Sequence, residues 1–190
     1  MAQMLKSTSI DFAHVPDEEF DAPFNTASGA GVIFGATGGV MEAALRTAAT
    51  ILDGEFALID FEEVRGTQGI KSATYQVAGH KVSVAVASGH ENIRSLCNEV
   101  ASGSSSYHFI EMMMCPGGCV NGGGQPLSGI AEPKKTRAKV LYNEDTTLAL
   151  RKSHQSPLME TLYADYLDAP NSDKAHHILH TTYTERTVKP

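Results

Sequence analysis

The stretch from Glu111 to Pro126, EMMMCPGGCVNGGGQP, sets the strongest limit on what this chain can fold into. An apolar run enters it, and Pro116 with the glycines at 117, 118, 122, 123 and 124 then ends any regular element. The loop divides the chain, with mixed helical and strand patterns before it and helical patterns alone after it. It also carries two of the three cysteines, Cys115 and Cys119.

Before the loop, residues 72 to 86 alternate strictly. Ala73, Tyr75 and Val77 oppose Ser72, Thr74 and Gln76, and Val82, Val84 and Val86 follow a turn near Gly79 and His80. That pattern predicts a β-hairpin with one buried face. Helical spacing flanks it on both sides. Over 37–52, Val40, Ala44, Ala48 and Ile51 form one stripe with Met41, Leu45 and Leu52 beside it, and Asp53 and Gly54 supply the stop. Glu42 and Arg46 stand four apart with the acid first, the order that suits a surface pair. Over 90–101, Ile93, Leu96, Cys97 and Val100 share an apolar side, which places Cys97 against a core. The run YHFIEMMM reads as a further strand over 107–113. The tail from Glu132 holds three helical patterns: EPKKTRAKVLYNED, SPLMETLYADYLDAP with Ser156 as N-cap and Pro157 at N1, and SDKAHHILHTTY. The expected fold is α/β, a small sheet flanked by helices, with a helical C-terminal wrap.

The 190 residues are 42% apolar, enough for one core and incompatible with a disordered chain. The net charge is −7 with lysine and arginine scattered, so no basic surface is concentrated enough to bind nucleic acid. The first twenty residues lack the basic flank and apolar core of a signal peptide, and no window approaches the roughly 18 apolar residues of a membrane span. Three cysteines are too few, and odd in number, for a secreted disulfide framework. Reduced thiols in a cytoplasmic protein are the expectation.

Thiolates at the Cys115–Cys119 spacing suit zinc, copper(I) or an iron–sulfur cluster. A closed site uses four such ligands, so the pair supplies half of one. The spacing matches neither the CxxC of thioredoxin-like sites nor the CxxxCxxC of radical enzymes. On spacing alone, metal or cluster binding, a redox pair and a structural loop stay open. The glycines favour an inorganic group, because bare backbone N–H groups form concave nests that hydrogen-bond sulfide and other anions. Met112, Met113 and Met114 read either as core filler or as a cofactor wall.

Taken together, EMMMCPGGCVNGGGQP resembles the third cluster-binding motif of the iron-only ([FeFe]) hydrogenases, Glu-x-Met-x-Cys-x-x-Gly-Cys-x-x-Gly-Gly-Gly-Gln-Pro. Glu111, Met113, Cys115, Gly118, Cys119, Gly122, Gly123, Gly124, Gln125 and Pro126 all match it. GAGVIFGATGGVMEAALR resembles that family's stretch lining the active-site pocket. RKSHQSPLMETLYADYLDAPNSDKAHHILHTTY resembles its small-subunit-like C-terminal segment. The resemblance implies one lobe of the hydrogenase catalytic domain. Residues 1–131 would form the second lobe of the H-cluster domain and 132–190 the small-subunit-like segment.

The implied activity is reversible reduction of protons to H2 at the H-cluster. That group is a [4Fe–4S] cubane joined through one cysteine sulfur to a di-iron subcluster carrying CO, cyanide and a dithiolate. On the family pattern Cys115 ligates the cubane and Cys119 is the thiolate shared by cubane and di-iron unit. Met113, Phe34 and Val40 line the di-iron pocket. Gly35 there, and Gly118, Gly122, Gly123, Gly124 and Gln125 in the loop, let the cofactor approach closely. The implied partners are a complementary N-terminal hydrogenase segment or subunit, ferredoxin or a similar electron carrier, and H2 and protons.

Two earlier family motifs, of the form TSCCPxW and PCxxKxxE, carry the other cubane thiolates, the proton-relay cysteine and a cyanide-holding lysine. Neither occurs in this sequence. Met1 falls inside what would be the family's continuous domain. The chain therefore reads as a C-terminal portion, a fragment or split subunit, inactive alone and with one apolar face uncovered. A second reading is a non-catalytic hydrogenase-like iron–sulfur binding or assembly module, and a third is a zinc half-site closed by dimerisation. His176 and His180 share a helical face without an evident third ligand, and with His177 the resemblance implies packing. His108 and His154 are expected to cap or pack.

Overall fold

The computed structural model describes residues 2–19, 21, 26–54, 60–66, 69–127, 129 and 132–184. Among them run α1 (Ala2–Ser7), α2 (Gly29–Val32), α3 (Gly39–Asp53), β1 (Ile70–Val77), β2 (His80–Ser88), α4 (His90–Ala101), β3 (Phe109–Met113), α5 (Pro133–Thr147), α6 (Pro157–Leu162) and α7 (Asp173–Leu179). The hairpin forms as its alternation requires. Strands β1 and β2 are antiparallel, with Ala73 opposite Val84 and Tyr75 opposite Val82. Ala78 and Gly79 turn the chain with φ of 50° and 77°, the two positive values that match a tight turn to the twist of its strands. Strand β3 then adds parallel to β2, reached through α4, in the order β1-β2-β3.

Strand β2 is buried on both faces, and its alternation assigns each residue to one of two cores. Val84 and Val86 pack with Met41, Leu45 and Ala49 of α3 and with Phe61, Val64, Tyr75 and Val77. Ala85 and Ala87 point the other way, to Leu96 and Ile93 of α4 and to Tyr107 and Ile110. The fold is thus α/β as the patterns predict, a three-stranded sheet with α3 on one face and α4 on the other. The C-terminal helices follow, with α5 against α2. Ser156 starts α6 through its carbonyl, which accepts from the amides of Met159 and Glu160, and its side chain makes no capping bond. The Ser172 hydroxyl caps α7 by accepting from the Ala175 amide at 3.1 Å.

Two expectations about burial are corrected. Glu42 and Arg46 do pair, at 2.8 Å, but both are fully buried rather than on the surface. Arg46 also holds the Asp145 carboxylate with both terminal nitrogens, at 2.7 and 2.8 Å. Arg65 grips the Glu42 carboxylate at 2.6 and 2.7 Å, and Asp60 accepts from both Arg65 and Arg151. Arg151 closes the circuit on Asp145 at 2.6 Å. Three arginines and three carboxylates thus balance in charge, and the Glu42–Arg46 pair is shut off from water because Asp145 of α5 and Arg65 close over that side of α3. Gly29 makes the close approach possible: any side chain there would overlap the Asp145 carboxylate. The apolar stripe Val40, Ala44, Ala48 and Ile51 is consequently the less buried side of α3, and Ile51 is 71% exposed.

The second correction is Cys97, which is exposed. Leu96 and Ile93 fill the space between α4 and the sheet, and the stripe's far edge, Cys97 and Val100, overhangs it. The Cys97 thiol reaches only the Met112 sulfur, at 3.8 Å, and Met112 is itself 43% exposed.

The ion network predicts how stability responds to acid. Hydrogen bonds from Arg151 and Arg65 hold the Asp60 carboxyl below its ordinary range against the opposing effect of burial. Burial alone would push Asp145 up, but Arg46 and Arg151 outweigh it and hold that carboxyl down too. A depressed folded-state pKa stabilises above the ordinary aspartate value and is lost as the pH falls through it. The thermal midpoint should therefore drop as pH falls from about 5 to about 3. Asp145→Asn, which leaves buried Arg46 and half-buried Arg151 short of an anion, should cost about 3–5 kcal/mol in denaturant titration and flatten that acid slope. An unchanged slope would remove Asp145 from the account.

Candidate functional site

Strand β3 points its residues to the two sides of the sheet in turn. Met112 stands toward Cys97, whereas Glu111 and Met113 face the start of α3. The Glu111 carboxylate, 6% exposed, accepts from the amides of Gly38 at 2.7 Å and Met41 at 2.6 Å, and so caps α3 from a neighbouring strand. Burial pushes this carboxyl above its ordinary value, and the two amide donors offset only part of that. The cap works because Gly38 adopts φ +90° with the Val64 carbonyl against it, a position closed to any side chain. Two residues along, half-buried Met113 places its sulfur 3.7 Å from the Thr37 hydroxyl. None of the three methionines is core filler: Met112 and Met114 are exposed and Met113 is only half covered.

The cysteine loop is held at its near end by Ser88, the last residue of β2. The Gly117 amide donates to the Ser88 hydroxyl at 3.0 Å, and that hydroxyl lies 3.4 Å from the Cys115 carbonyl it donates to. The Thr37 amide donates to the Gly117 carbonyl at 3.2 Å. At Gly118, φ +95°, a Cβ would lie 2.6 Å from the Gly35 carbonyl oxygen and 2.8 Å from the Thr37 nitrogen. The backbone of 35–37 and that of Gly117–Gly118 are therefore pressed together, and this contact brings Cys115, Met113 and the Phe34–Gly35 segment to one place.

Beyond it the loop opens. Cys115 and Cys119 are both free and exposed. Gly122 lies under them, where a Cβ would stand 3.9 Å from the Cys115 sulfur, while one at Gly123 or Gly124 would meet nothing within 4 Å. Gln125 is exposed, its amide 3.3 Å from the Gly122 carbonyl. Arg137 of α5 donates to the Val120 carbonyl at 3.0 Å and the Pro126 carbonyl at 2.7 Å. Phe34, 45% exposed, and Val40 line an apolar groove of about 460 Å³ along α3, with Ala44, Thr47 and Ala48.

Thr37, Ser88 and Arg137 were not evident in the sequence, because their contributions are hydrogen bonds to backbone far along the chain and no local pattern marks them. The histidines singled out in the sequence do not reach the cysteines, and His154 alone among them touches the groove, through Thr47. The rings of His176 and His180 stack at 4.5 Å, but both residues and His177 are exposed rather than packed. The His108 ring accepts from the Ser83 amide at 3.0 Å, and His154 pairs with the Thr47 hydroxyl at 3.0 Å. Among the described residues no group of three or more histidine, cysteine, aspartate or glutamate side chains is arranged to hold a metal ion.

Such an arrangement can present two soft thiolates and a row of uncovered amides to an inorganic group, beside an apolar wall. Comparison with known proteins agrees. Residues 1–123 match the model of the iron only hydrogenase large subunit, C-terminal domain, and residues 131–186 that of the iron hydrogenase small subunit. The NADP-reducing hydrogenase subunit HndD of Solidesulfovibrio fructosivorans is 47% identical over 98% of this chain and 32% of its own length. Iron hydrogenase 1 of Clostridium pasteurianum is 44% identical over 96% of this chain and 33% of its own. The solved [FeFe]-hydrogenase HydA1 from Chlamydomonas reinhardtii superposes with a TM-score of 0.72 at 37% identity, across 95% of this chain and 53% of that one. More distant matches include the cytosolic iron-sulfur assembly component 3 of Rattus norvegicus, 33% identical over 78% of this chain and 31% of its own. The chain spans about a third of the length of the curated relatives it matches. With both family models matched in order along it, the chain belongs to the iron-only hydrogenase family, residues 1–123 to the C-terminal domain of its large subunit.

Proposed function

We propose that this chain forms one wall of an H-cluster site and takes part in reversible proton reduction to H2, jointly with a hydrogenase segment or subunit that carries the remaining ligands. The observation behind this reading is the seating of Gly117–Gly118 on residues 35–37, which gathers exposed Cys115 and Cys119 beside Met113 and the Phe34–Val40 segment. When bound, the H-cluster supplies the electron and hydrogen chemistry. The thiolate of Cys115 would hold the cubane, and that of Cys119 would be the ligand shared with the di-iron unit. The amides of Gly123 and Gly124 offer donors to sulfide, with Gly35, Gly118, Gly122 and Gln125 completing the backbone cradle. Phe34, Val40 and Met113 keep water away, which strengthens hydrogen bonds to anionic ligands in the pocket. The donor set fits half of a cubane, since four thiolates are the usual complement.

In this proposal residues 1–131 are the second lobe of the H-cluster domain and 132–190 its small-subunit-like segment, electrons arrive from ferredoxin or a similar carrier, and the setting is cytoplasmic. No helix among the described residues is long and apolar enough to cross a membrane. A second reading, a module that binds or passes an iron–sulfur cluster without H2 chemistry, draws on the relative named as a cytosolic iron-sulfur assembly component.

The two readings part in the test tube. The 190-residue chain alone, with cofactor offered anaerobically, should evolve no H2, whereas co-production with a segment carrying the TSCCPxW and PCxxKxxE motifs and with the maturation machinery should restore evolution. Turnover by the isolated chain would refute the joint site. Failure of several well-folded complements would favour the assembly module.

In the complemented protein the cysteines should differ. Cys119→Ser should abolish the electronic coupling between the metal units and the H2 chemistry, with CO and cyanide infrared bands lost or uncoupled. Cys115→Ser exchanges one soft ligand for a harder oxygen and should keep those bands at least in part. A coupled spectrum and normal turnover in Cys119→Ser would show the bridging assignment to be wrong.

A further inference from the structure

The limb of the cysteine loop from Val120 to Pro126 has little to hold it. Glycine loses more conformational freedom on folding than any other residue, and here three follow one another, with Gly124 at φ +88°. Neither Gly123 nor Gly124 has anything within 4 Å of where a side chain would begin. Within the limb, the amides of Gly122 and Gln125 make single turn bonds of 3.0 and 3.3 Å, and the Asn121 side chain reaches back to the Pro116 carbonyl at 3.0 Å. Such bonds shape a turn but do not fix where it lies relative to the rest of the site.

Arg137 does both. It stands on α5, in the part of the chain that matches the small-subunit model, and its half-buried guanidinium forks across the limb. One terminal nitrogen donates to the Val120 carbonyl next to Cys119, the other to the Pro126 carbonyl at the far end. Hydrogen bonds from a charged donor are about twice as strong as neutral ones, and a planar fork commits less rotamer freedom per bond than an ammonium would. The last turn of α5, on the same helix as Arg137, is itself tied to α3 through Asp145 and Arg46, so the anchor is rigid.

We propose that Arg137 is a positioning residue for the cysteine loop. By clasping both ends of the glycine run from the C-terminal segment, it sets Cys119 and the 122–124 amides in place before any inorganic group arrives. The inference rests on the cluster-binding reading above for its purpose, and on geometry alone for the clasp.

The test uses the full chain with Arg137→Ala and Arg137→Lys. Amide hydrogen exchange over 119–126 should accelerate about tenfold or more in Arg137→Ala, with α3 and the sheet unchanged, and less in Arg137→Lys, which can reach one carbonyl but not fork across two. Alkylation of Cys119 should change rate while that of Cys97, exposed on α4, does not. In the protein co-produced with the complementary segment, anaerobic reconstitution with ferrous iron and sulfide, followed by iron analysis and visible absorbance, should then load Arg137→Ala less completely than wild type, with partial rescue in Arg137→Lys. Unchanged loop exchange in Arg137→Ala overturns the clasp. Faster exchange with undiminished iron loading overturns its positioning role. If the complemented wild-type protein itself takes up no iron, the cluster-binding reading fails, and the clasp stands or falls on the exchange and alkylation rates.

Discussion

The bidentate contact between Arg46 and Asp145 is the constraint on which the rest of the molecule hangs. An arginine buried in the middle of a helix is tolerable only with carboxylates around it, because its uncompensated charge would cost several kcal/mol. Glu42 supplies one carboxylate from the same helix and Asp145 the other from α5. Arg65 and Arg151, joined through Asp60, neutralise the acids in turn. A network of this kind adds little over a well-packed apolar core, but it accepts only one arrangement of its members. The segments 29–53, 60–65 and 133–151 are therefore locked in one relation, and the first of them carries the wall of the candidate site.

From that frame the site is assembled by backbone rather than by side chains. Glu111 accepts from the first turn of α3, Ser88 bridges Gly117 and Cys115, and the Gly35 and Gly118 segments touch where no Cβ could stand. Each contact joins parts of the chain distant in sequence, and each leaves the thiols and the 123–124 amides uncovered. Glycine is required at 118 by its neighbours, whereas at 123 no neighbour in the chain requires it.

Local periodicity made most of the architecture legible. The hairpin, α4, β3 and the three tail helices follow from spacings of two and 3.6, because those patterns report burial against a sheet or along a helix. Periodicity fails where burial is decided by a partner outside its window. α3 carries apolar residues on more than one side, and spacing could not tell that the Met41–Leu45–Ala49 side would meet the sheet while Glu42 and Arg46 met α5. Cys97 erred in the same way, since the helix stripe is wider than the sheet it covers. In the site, the cysteines and glycines stood out because their residue types are rare in such density. Arg137 and Ser88, working through backbone carbonyls and amides, leave no such mark.

The span of the Arg46–Asp145 pair also bears on how the protein is made. The partners lie 99 residues apart, so at ribosomal rates of about 5–20 residues per second several seconds separate their synthesis. Through that interval Arg46 lacks its chelating carboxylate, and α3 has reason to keep its polar side in water. Arg137, emerging a few residues ahead of Asp145, is equally late for the cysteine loop. The hairpin and its crossover helix can form on the nascent chain, but the α3 packing and the settled loop wait for the C-terminal segment. The geometry around the exposed thiols of Cys115 and Cys119 is thereby settled only after α5 has been made, well after the cysteines themselves have emerged.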